Sequence, residues 1–179
     1  MREEALAISL LLHCPIRLRN LANLHLERNL RRMGDGRVYL VFDGSEVKNR
    51  RPLEFELPRS AIAMLDAHLA TRAPELCPPG TPWLYPRRDG GAAMAASHLS
   101  KRISARIQKE TGLVMHVHLF RHFAAKIFLE ANPGQYEVVR RLLGHAALSS
   151  TLGAYTGFEA GTAIRLYNEV LTQAQRGAR

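Results

Sequence analysis

The spacing of apolar residues changes twice along this 179-residue chain, and that change limits the folds open to it. Apolar residues recur at helical spacing over residues 3–13 and, after a proline, over residues 16–26. Residues 38–42 are β-branched and aromatic, and residues 53–57 alternate between apolar side chains and glutamate, which predicts two strands. Helical spacing resumes at Arg59. We therefore expect an α+β fold that is mainly α, with one small antiparallel β-sheet of two or three strands.

The helices predicted after the sheet are separated by glycine and proline. Ser97 is expected to cap one of them and Gly112 to stop it. A segment with five prolines, residues 74–86, is predicted to be a loop with one short strand. No internal repeat or interdomain linker is visible, so residues 1–179 are predicted to form one domain. The expected helices cover residues 59–71, 97–110, 116–131, 135–143 and 159–173.

The charge of the chain indicates a polyanionic partner. Its formal net charge is +9 and its pI is near 10.2. Of the 25 basic residues 21 are arginine, whose planar guanidinium grips phosphate with two hydrogen bonds. The alternative is codon bias, since alanine and glycine are abundant too. Basic charge favours nucleic-acid binding but does not indicate any chemistry.

The cysteine content and the length of the apolar runs exclude three classes of protein. The two cysteines, Cys14 and Cys77, have no CxxC spacing, which excludes a disulfide scaffold and a cysteine-based zinc site and favours a reduced intracellular protein. The longest apolar run near the start, residues 6–12, is far too short to span a bilayer. We expect a cytoplasmic protein without membrane contact.

Three histidines, His116, His118 and His122, fall within seven residues. A metal site would need more ligands, but no carboxylate or cysteine is close in sequence, and His116 and His118 would face opposite sides of a helix. On that helix His118, Arg121 and His122 would share one side, because residues three and four apart are neighbours. We therefore predict no metal site here.

Further chemically active residues accompany this segment in a fixed order. Arg17 precedes it, as does Lys48 in the predicted turn between the strands; Gly144-His145 and Tyr155 follow it. In this order (Arg, Lys, His-x-x-Arg, Gly-His, Tyr) the residues resemble the tyrosine recombinases, the family of phage integrases and related site-specific recombinases. The resemblance covers about residues 3–173. The matching stretches are residues 16–21, Lys48, residues 118–122, residues 142–145 and residues 151–155.

The resemblance implies a tyrosine-type site-specific DNA recombinase with the catalytic-domain fold of that family. Such an enzyme acts in DNA recombination and DNA integration by cleaving and rejoining strands through a 3′-phosphotyrosine, here at Tyr155. It needs no metal and no cofactor, because the phosphotyrosine bond conserves the energy for ligation. The implied partners are double-stranded DNA and other protomers in a DNA-bound synaptic complex, expected to be a tetramer. The implied location is cytoplasmic and nucleoid-associated, for a protein of bacterial or phage origin.

The resemblance implies that two arginines stabilise charge in the reaction and that one lysine donates a proton. Arg17 and Arg121 would stabilise the extra negative charge of the phosphorane-like transition state, which is usually the largest catalytic contribution. Lys48 would be the general acid that protonates the leaving 5′ oxygen. Neighbouring cations ease proton release from an ammonium group, and Arg50 and Arg51 follow closely.

The nucleophile needs a base. A phenol with a pKa near ~10 is about one part in a thousand ionised at neutral pH. By the resemblance, His118 accepts the proton of Tyr155 and His145 hydrogen-bonds the scissile phosphate. Gly153 and Gly157, on either side of Tyr155, would let the segment swing the hydroxyl toward the phosphate.

Outside this set, five basic residues are predicted to contact DNA. Some lie near the start of the helix after Ser97, where the helix end also favours anions; a solvated basic face is the alternative. The five residues are Arg50, Arg51, Lys101, Arg102 and Arg106.

The sequence departs from the family pattern at two positions and leaves other functions open. Asn20 stands where an acidic residue is common, and Lys48-Asn49-Arg50-Arg51 stands where Lys-Thr-Gly-Lys is frequent.

The family's N-terminal DNA-clamping domain is expected to be absent. An apolar stripe over about residues 159–175 is expected to dock onto a neighbouring protomer or onto its own domain. A type IB topoisomerase and a DNA-binding module that has lost catalysis are the alternatives.

Overall fold

The computed structural model describes residues 2–72, 80–147, 149 and 151 of the chain. In these residues, helices make up most of the regular structure and three strands form one sheet. In chain order the elements are α1 (Arg2–His13), α2 (Leu18–Ala22), α3 (Leu26–Asn29), β1 (Leu30–Arg32), β2 (Val38–Phe42), β3 (Leu53–Glu56), α4 (Arg59–Ala70), α5 (Ala96–Thr111), α6 (Leu119–Ala131) and α7 (Tyr136–Leu142).

The sheet is antiparallel throughout, with the order β1-β2-β3. In the centre of the sheet Leu40 of β2 lies opposite Leu30 of β1 and Phe55 of β3. The central strand is almost entirely buried, whereas β3 alternates between buried and exposed residues as its sequence predicts. The predicted fold class, mainly α with a small antiparallel sheet, is confirmed.

Residue contacts divide the chain into two compact units, residues 1–121 and residues 122–179. The core of the first unit is formed by helices α1, α4 and α5 together with the central strand. Its largest fully buried side chains include Leu10 of α1, Leu65 of α4, Phe42 of β2 and Tyr85 of the loop before α5. The segment that carries Arg17, at the entry to α2, and the turn that carries Lys48, after β2, both belong to this first unit.

The described part of the second unit has a smaller core between the rest of α6 and α7. Ala125 and Leu129 on α6 pack with Val139 and Leu143, and Phe128 and Tyr136 cover this cluster. The predicted break after α7 is confirmed, because Gly144 takes the left-handed conformation with φ of 60°. The predicted helix over residues 159–173 lies outside the described residues.

The helix predicted over residues 16–26 is wrong in extent. Arg17 is extended, with φ −75° and ψ 147°, so α2 begins only at Leu18. The helix ends at Ala22, and the Asn23 side chain then donates a hydrogen bond to the Arg19 carbonyl oxygen at 2.8 Å. Asparagine competes in this way with the continuing helix, and the apolar periodicity did not reveal it.

Two predicted helix starts are also wrong. Ser97 lies inside α5 and caps nothing, because the helix begins at Ala96 and the Ala95 carbonyl accepts its first hydrogen bonds. The helix expected from His116 begins at Leu119, so His118 belongs to the turn before α6 and not to a helix face. The predicted stop at Gly112 is confirmed, since Gly112 is left-handed with φ of 74°.

Candidate active site

Arg17 stands at the entry to α2, with an extended backbone directly before the first helical residue, Leu18. Its side chain is half-buried, and burial lowers the pKa of its guanidinium from the ordinary value. An arginine remains protonated in proteins despite such a shift, so Arg17 offers a permanent positive charge in a partly dry setting.

A cavity of about 470 Å³ lies between α2 and the turn that joins β2 to β3. Arg17 lines it from the α2 side and Lys48 lines it from the turn, so two of the predicted catalytic residues share one cavity. Lys48 itself is exposed, as expected for a cation that must reach a substrate. Other residues that line the cavity are Arg19, Asn20, Asn23, Phe42, Ser45, Glu46 and Val47.

The turn that carries Lys48 is tightly closed. The Arg50 amide donates to the Val47 carbonyl oxygen at 3.0 Å, and Arg50 has a positive φ of 52°, which is unusual for a residue with a Cβ. A Cβ on Gly44 would lie 2.7 Å from the Arg50 carbonyl oxygen, so only glycine fits there. The predicted turn at Gly44 is therefore confirmed, and the backbone on both sides of Lys48 is fixed.

Arg121 lies in the first turn of α6 and is only 3% exposed. Its Nη1 donates a hydrogen bond to the carbonyl oxygen of Pro15, two residues before Arg17. Both arginines predicted to stabilise the phosphate charge thus belong to one connected part of the first unit. The Arg121 amide donates to the carbonyl oxygen of His118 at 3.2 Å, which places exposed His118 directly before the helix.

His145 belongs to the second unit and follows the left-handed Gly144. Its backbone is held from both sides: the amide donates to the Arg140 carbonyl oxygen at 2.9 Å, and Arg140 Nη1 donates to the His145 carbonyl oxygen at 2.9 Å. Its ring Nδ1 lies 3.0 Å from Oγ1 of Thr151, which is fully buried. The imidazole is thereby oriented by a hydroxyl six residues later.

Tyr155, the predicted nucleophile, lies outside the described residues. Among the described residues, the structure brings Arg17 and Lys48 to one cavity and joins Arg121 to the segment that precedes Arg17. Sequence reasoning gave no structural role to Asn29, Glu46 or Thr151. For Thr151 the signal was its place in the matched stretch before Tyr155; Asn29 and Glu46 gave no signal at all.

The five residues predicted to contact DNA fall into two groups. Arg50, Arg51 and Lys101 are exposed. Arg102 instead joins α5 to α1 by ion pairs with Glu3 and Glu4, and Arg106 pairs with Glu110 one turn later at 3.3 Å. Arg102 therefore has a structural role in the first unit, and DNA contact by it stays a prediction.

The acidic partner of Arg102 shows what this ion pair does. Burial acts to raise the pKa of the Glu4 carboxyl, but hydrogen bonds, those from Arg102 among them, outweigh burial and lower the pKa to about 2. Arg102 Nε donates to Glu4 Oε1 at 2.8 Å. The charged form of Glu4 is therefore the form that the fold stabilises.

The described residues contain neither a metal-binding cluster nor a membrane-spanning helix. Nowhere in the described residues do three or more His, Cys, Asp or Glu side chains meet in a group that could hold a metal ion. In those residues there is also no helix with the length and apolar character needed to cross a membrane.

Comparison with known proteins gives consistent matches. The model of the phage integrase family matches residues 1–160. A curated relative, the tyrosine recombinase XerC of Pseudomonas fluorescens, is 25% identical over 175 residues, which are 98% of this chain and 54% of the relative. The chain thus spans about half the length of this relative.

Solved structures share the fold. The XerH site-specific recombinase bound to its difH substrate, in a pre-cleavage complex, superposes with a TM-score of 0.68 at 22% identity, over 93% of this chain and 46% of that one. The XerA recombinase gives a TM-score of 0.67 at 18% identity, over 94% of this chain and 57% of that one.

Proposed function

Because the chain belongs to the phage integrase family, we propose that residues 1–179 form the catalytic domain of a tyrosine-type site-specific DNA recombinase. It cleaves and rejoins DNA strands through a 3′-phosphotyrosine intermediate at Tyr155. The observation that carries this proposal is the cavity shared by Arg17 and Lys48, because it joins a fixed positive charge to a proton donor at one place. Phosphodiester transesterification needs that pair of functions.

Charge stabilisation is the task of the two arginines. When the attacking oxygen adds to phosphorus, negative charge grows on the non-bridging oxygens, and guanidinium groups held in advance stabilise it without reorganising. Arg17 is half-buried and lines the cavity at the entry to α2, and Arg121 is held by its burial and its hydrogen bond to Pro15. The hydrogen bond from Arg121 to the segment before Arg17 supports the proposal that both act on one phosphate.

Proton transfer completes the chemistry. The phenol oxygen of Tyr155 forms the bond to phosphorus while the bond from phosphorus to the 5′ oxygen breaks. His118 accepts the phenol proton, and Lys48 gives a proton to the departing 5′ oxygen, so charge does not accumulate on either oxygen. His145, oriented by Thr151, donates a hydrogen bond to the phosphate. Religation runs these steps in reverse and needs no added energy source.

Double-stranded DNA is the proposed substrate and partner. The chain carries a formal charge of +9, and its exposed cations Arg50, Arg51 and Lys101 are suited to phosphate contacts. The Tn1549 transposon integrase, which shares the fold, is in complex with a circular intermediate DNA in its solved structure. We propose further that several protomers assemble on DNA during strand exchange.

The test is covalent capture of DNA. The chain is incubated with a library of nicked duplexes of randomised sequence, the reaction is stopped with detergent, and a denaturing gel separates protein-linked DNA. We expect an adduct whose attached DNA, once sequenced, defines the target site. An adduct that forms equally well when Tyr155 is changed to phenylalanine would contradict the proposed nucleophile.

A second assay separates recombination from relaxation. Supercoiled plasmids that carry two copies of the captured site are incubated with the chain, and products are resolved by restriction digestion. Strand exchange between the sites is the expected result. Relaxation of the plasmid with no exchange, at every site spacing tested, would overturn the recombinase assignment in favour of topoisomerase activity.

A further inference from the structure

The side chain of Asn20 connects α2 to the turn that carries Lys48. Asn20 is 7% exposed and lies three residues after Arg17. Its Nδ2 donates a hydrogen bond to the carbonyl oxygen of Glu46 at 2.9 Å. One buried amide therefore links the helix that begins next to Arg17 with the backbone two residues before Lys48.

The Glu46 carboxylate is held at the same time by a second asparagine. Nδ2 of Asn29, a residue only 1% exposed, lies 3.1 Å from both carboxylate oxygens of Glu46 and 2.9 Å from the Val41 carbonyl oxygen. The Asp43 amide donates to Glu46 Oε2 at 2.9 Å. Glu46 is thus fixed through its backbone by Asn20 and through its side chain by Asn29 and the start of the turn.

Asn29 is itself fixed. Its Oδ1 accepts a hydrogen bond from the His25 amide at 2.8 Å, which orients the side-chain amide with Nδ2 toward the turn. Val47, which follows Glu46, is 5% exposed and belongs to the core of the first unit. The chain is therefore fixed as far as residue 47, and the next residue is the exposed Lys48.

This arrangement bears on catalysis because a general acid must lie within hydrogen-bond reach of the atom that it protonates. A lysine side chain has much conformational freedom, so the position of its backbone decides how often the ammonium group reaches that atom. Resting on the proposed function, we propose that Asn20 and Asn29 are positioning residues for Lys48, and that both act through Glu46.

The proposal also explains the departure from the family pattern at residue 20. An acidic side chain there has no N–H to donate, so the Glu46 carbonyl oxygen would lose its hydrogen bond. It would also bring a second negative charge toward the Glu46 carboxylate. Asn20 and Glu46 are therefore matched to each other in this chain, and an acidic residue at position 20 would weaken the anchor.

The anchor is tested first without any catalysis. Amide hydrogen exchange is measured over residues 43–50 in the wild-type chain and in the variants Asn20→Ala, Asn20→Asp and Asn29→Ser. We expect exchange in the turn to become at least about tenfold faster in each variant, since loss of one hydrogen bond worth ~1.4 kcal/mol corresponds to a tenfold change. Asn132→Ala is the control, because it removes a similar amide-to-carbonyl bond, to Phe128 at 3.1 Å, elsewhere in the chain.

The link to Lys48 is tested with two DNA substrates. One has the normal 5′ oxygen at the cleavage site, and the other has sulfur in its place, which leaves as a thiolate without needing a proton because a thiol has a pKa of only about 8.5. Lys48→Ala defines the effect of losing the general acid. We expect Asn20→Ala and Asn20→Asp to slow cleavage of the oxygen substrate by about ten- to a hundredfold and to cleave the sulfur substrate at nearly the wild-type rate.

Each result has a distinct meaning. If the wild-type chain cleaves neither substrate, the proposed function fails, and with it the role of the anchor in catalysis. If sulfur rescues Lys48→Ala but not the Asn20 variants, or if exchange in the turn is unchanged while the melting temperature shows that these variants are folded, the positioning role is overturned. The positioning role is also overturned if the Asn20→Asp variant cleaves the oxygen substrate as fast as the wild-type chain does.

Discussion

Arg121 Nη1 donates a hydrogen bond to the carbonyl oxygen of Pro15, although 106 residues separate them in the chain. Arg17, two residues after Pro15, is extended and precedes α2, which begins at Leu18. The contact fixes the start of α6 against the segment that leads into Arg17. One hydrogen bond thus joins Arg121 to the segment that leads into Arg17, the other arginine that we propose to act on the same phosphate.

Arg17→Ala and Arg121→Ala are both expected to slow DNA cleavage, by roughly 10²–10³-fold, the usual cost of losing a charge-stabilising donor. Their effects on stability should differ. Arg121 is buried and its loss leaves the Pro15 carbonyl without this donor, so its removal should lower the free energy of unfolding by about 1–3 kcal/mol. Arg17→Ala should lower the free energy of unfolding by less, because Arg17 is only half-buried. Rates come from adduct formation and stabilities from denaturant unfolding.

Arg121→Lys is the informative companion of this pair. It keeps a positive charge but lacks the planar fork that binds phosphate with two hydrogen bonds. We expect it to recover part of the stability and little of the cleavage rate. Full recovery of the rate by lysine would mean that only charge at this position matters.

Tyr155→Phe is expected to abolish covalent attachment to DNA and to leave DNA affinity nearly unchanged. The substitution removes only the hydroxyl, while the arginine contacts to phosphate remain. Affinity is measured by fluorescence anisotropy and attachment by denaturing gel.

Chelators should not change DNA cleavage by the wild-type chain. Cleavage that stops with a chelator and returns with a divalent ion would contradict the metal-free mechanism.

The fold was predictable where the side-chain pattern is decided by burial. The alternation of Leu53, Phe55 and Leu57 gave β3, because one face of that strand is buried and the other is not. The boundaries near Arg17 and His118 were not predictable from periodicity. At Asn23 a side-chain hydrogen bond to the backbone ends the helix, and such a bond leaves no trace in the spacing of apolar residues.

The site was predictable only in part, and for a similar reason. Arg17 and Lys48 have distinctive chemistry and a family pattern, whereas Asn29 and Glu46 act through contacts 17 residues apart that only the fold brings together. The sequence also suggested DNA contact for Arg102. That residue is ion-paired with α1, a pairing between residues about 98 positions apart.

Arg102→Gln is expected to lower the free energy of unfolding by about 1–3 kcal/mol, because it leaves the mostly buried Glu4 carboxylate without its guanidinium partner. Lys101→Gln is the control: the Lys101 side chain, next to Arg102 in sequence, is exposed, so its replacement should change stability by less than ~0.5 kcal/mol. Equal decreases in the free energy of unfolding in the two variants would mean that the ion pair between α5 and α1 does not stabilise the fold.

The same carboxylate predicts how stability depends on pH. The pKa of Glu4 falls from its ordinary value of 4.5 to about 2 in the folded chain. A group with a lowered folded-state pKa stabilises the fold above its unfolded pKa, and this stabilisation is lost as pH falls toward the folded value. Melting temperatures measured from neutral pH down to about pH 3 should therefore fall less steeply for Glu4→Gln than for wild type.

Thr151→Val is expected to slow cleavage by about tenfold, because it removes the hydroxyl that lies 3.0 Å from His145 Nδ1 while keeping the size of the buried side chain. For Nε2 of a neutral His145 to donate to a phosphate, Nδ1 must accept a hydrogen bond from the Thr151 hydroxyl. Thr151→Ser should restore the rate. Nitrogen NMR of the His145 ring measures the tautomer directly, and an unchanged tautomer in Thr151→Val would contradict this role.

DNA binding by the chain is expected to weaken steeply with salt, since each phosphate contact by a cation releases condensed counterions. Arg51→Gln and Lys101→Gln should each reduce the slope of log affinity against log salt concentration by about one, because both residues are exposed cations placed for phosphate contact. Arg37→Gln is the matched control, an exposed arginine whose guanidinium is already paired with Asp35 at 2.7 Å. Fluorescence anisotropy at several salt concentrations gives the slopes. If Arg37→Gln changes the slope as much as the other two, the basic surface acts through total charge alone, and the assignment of Arg51 and Lys101 as DNA contacts is wrong.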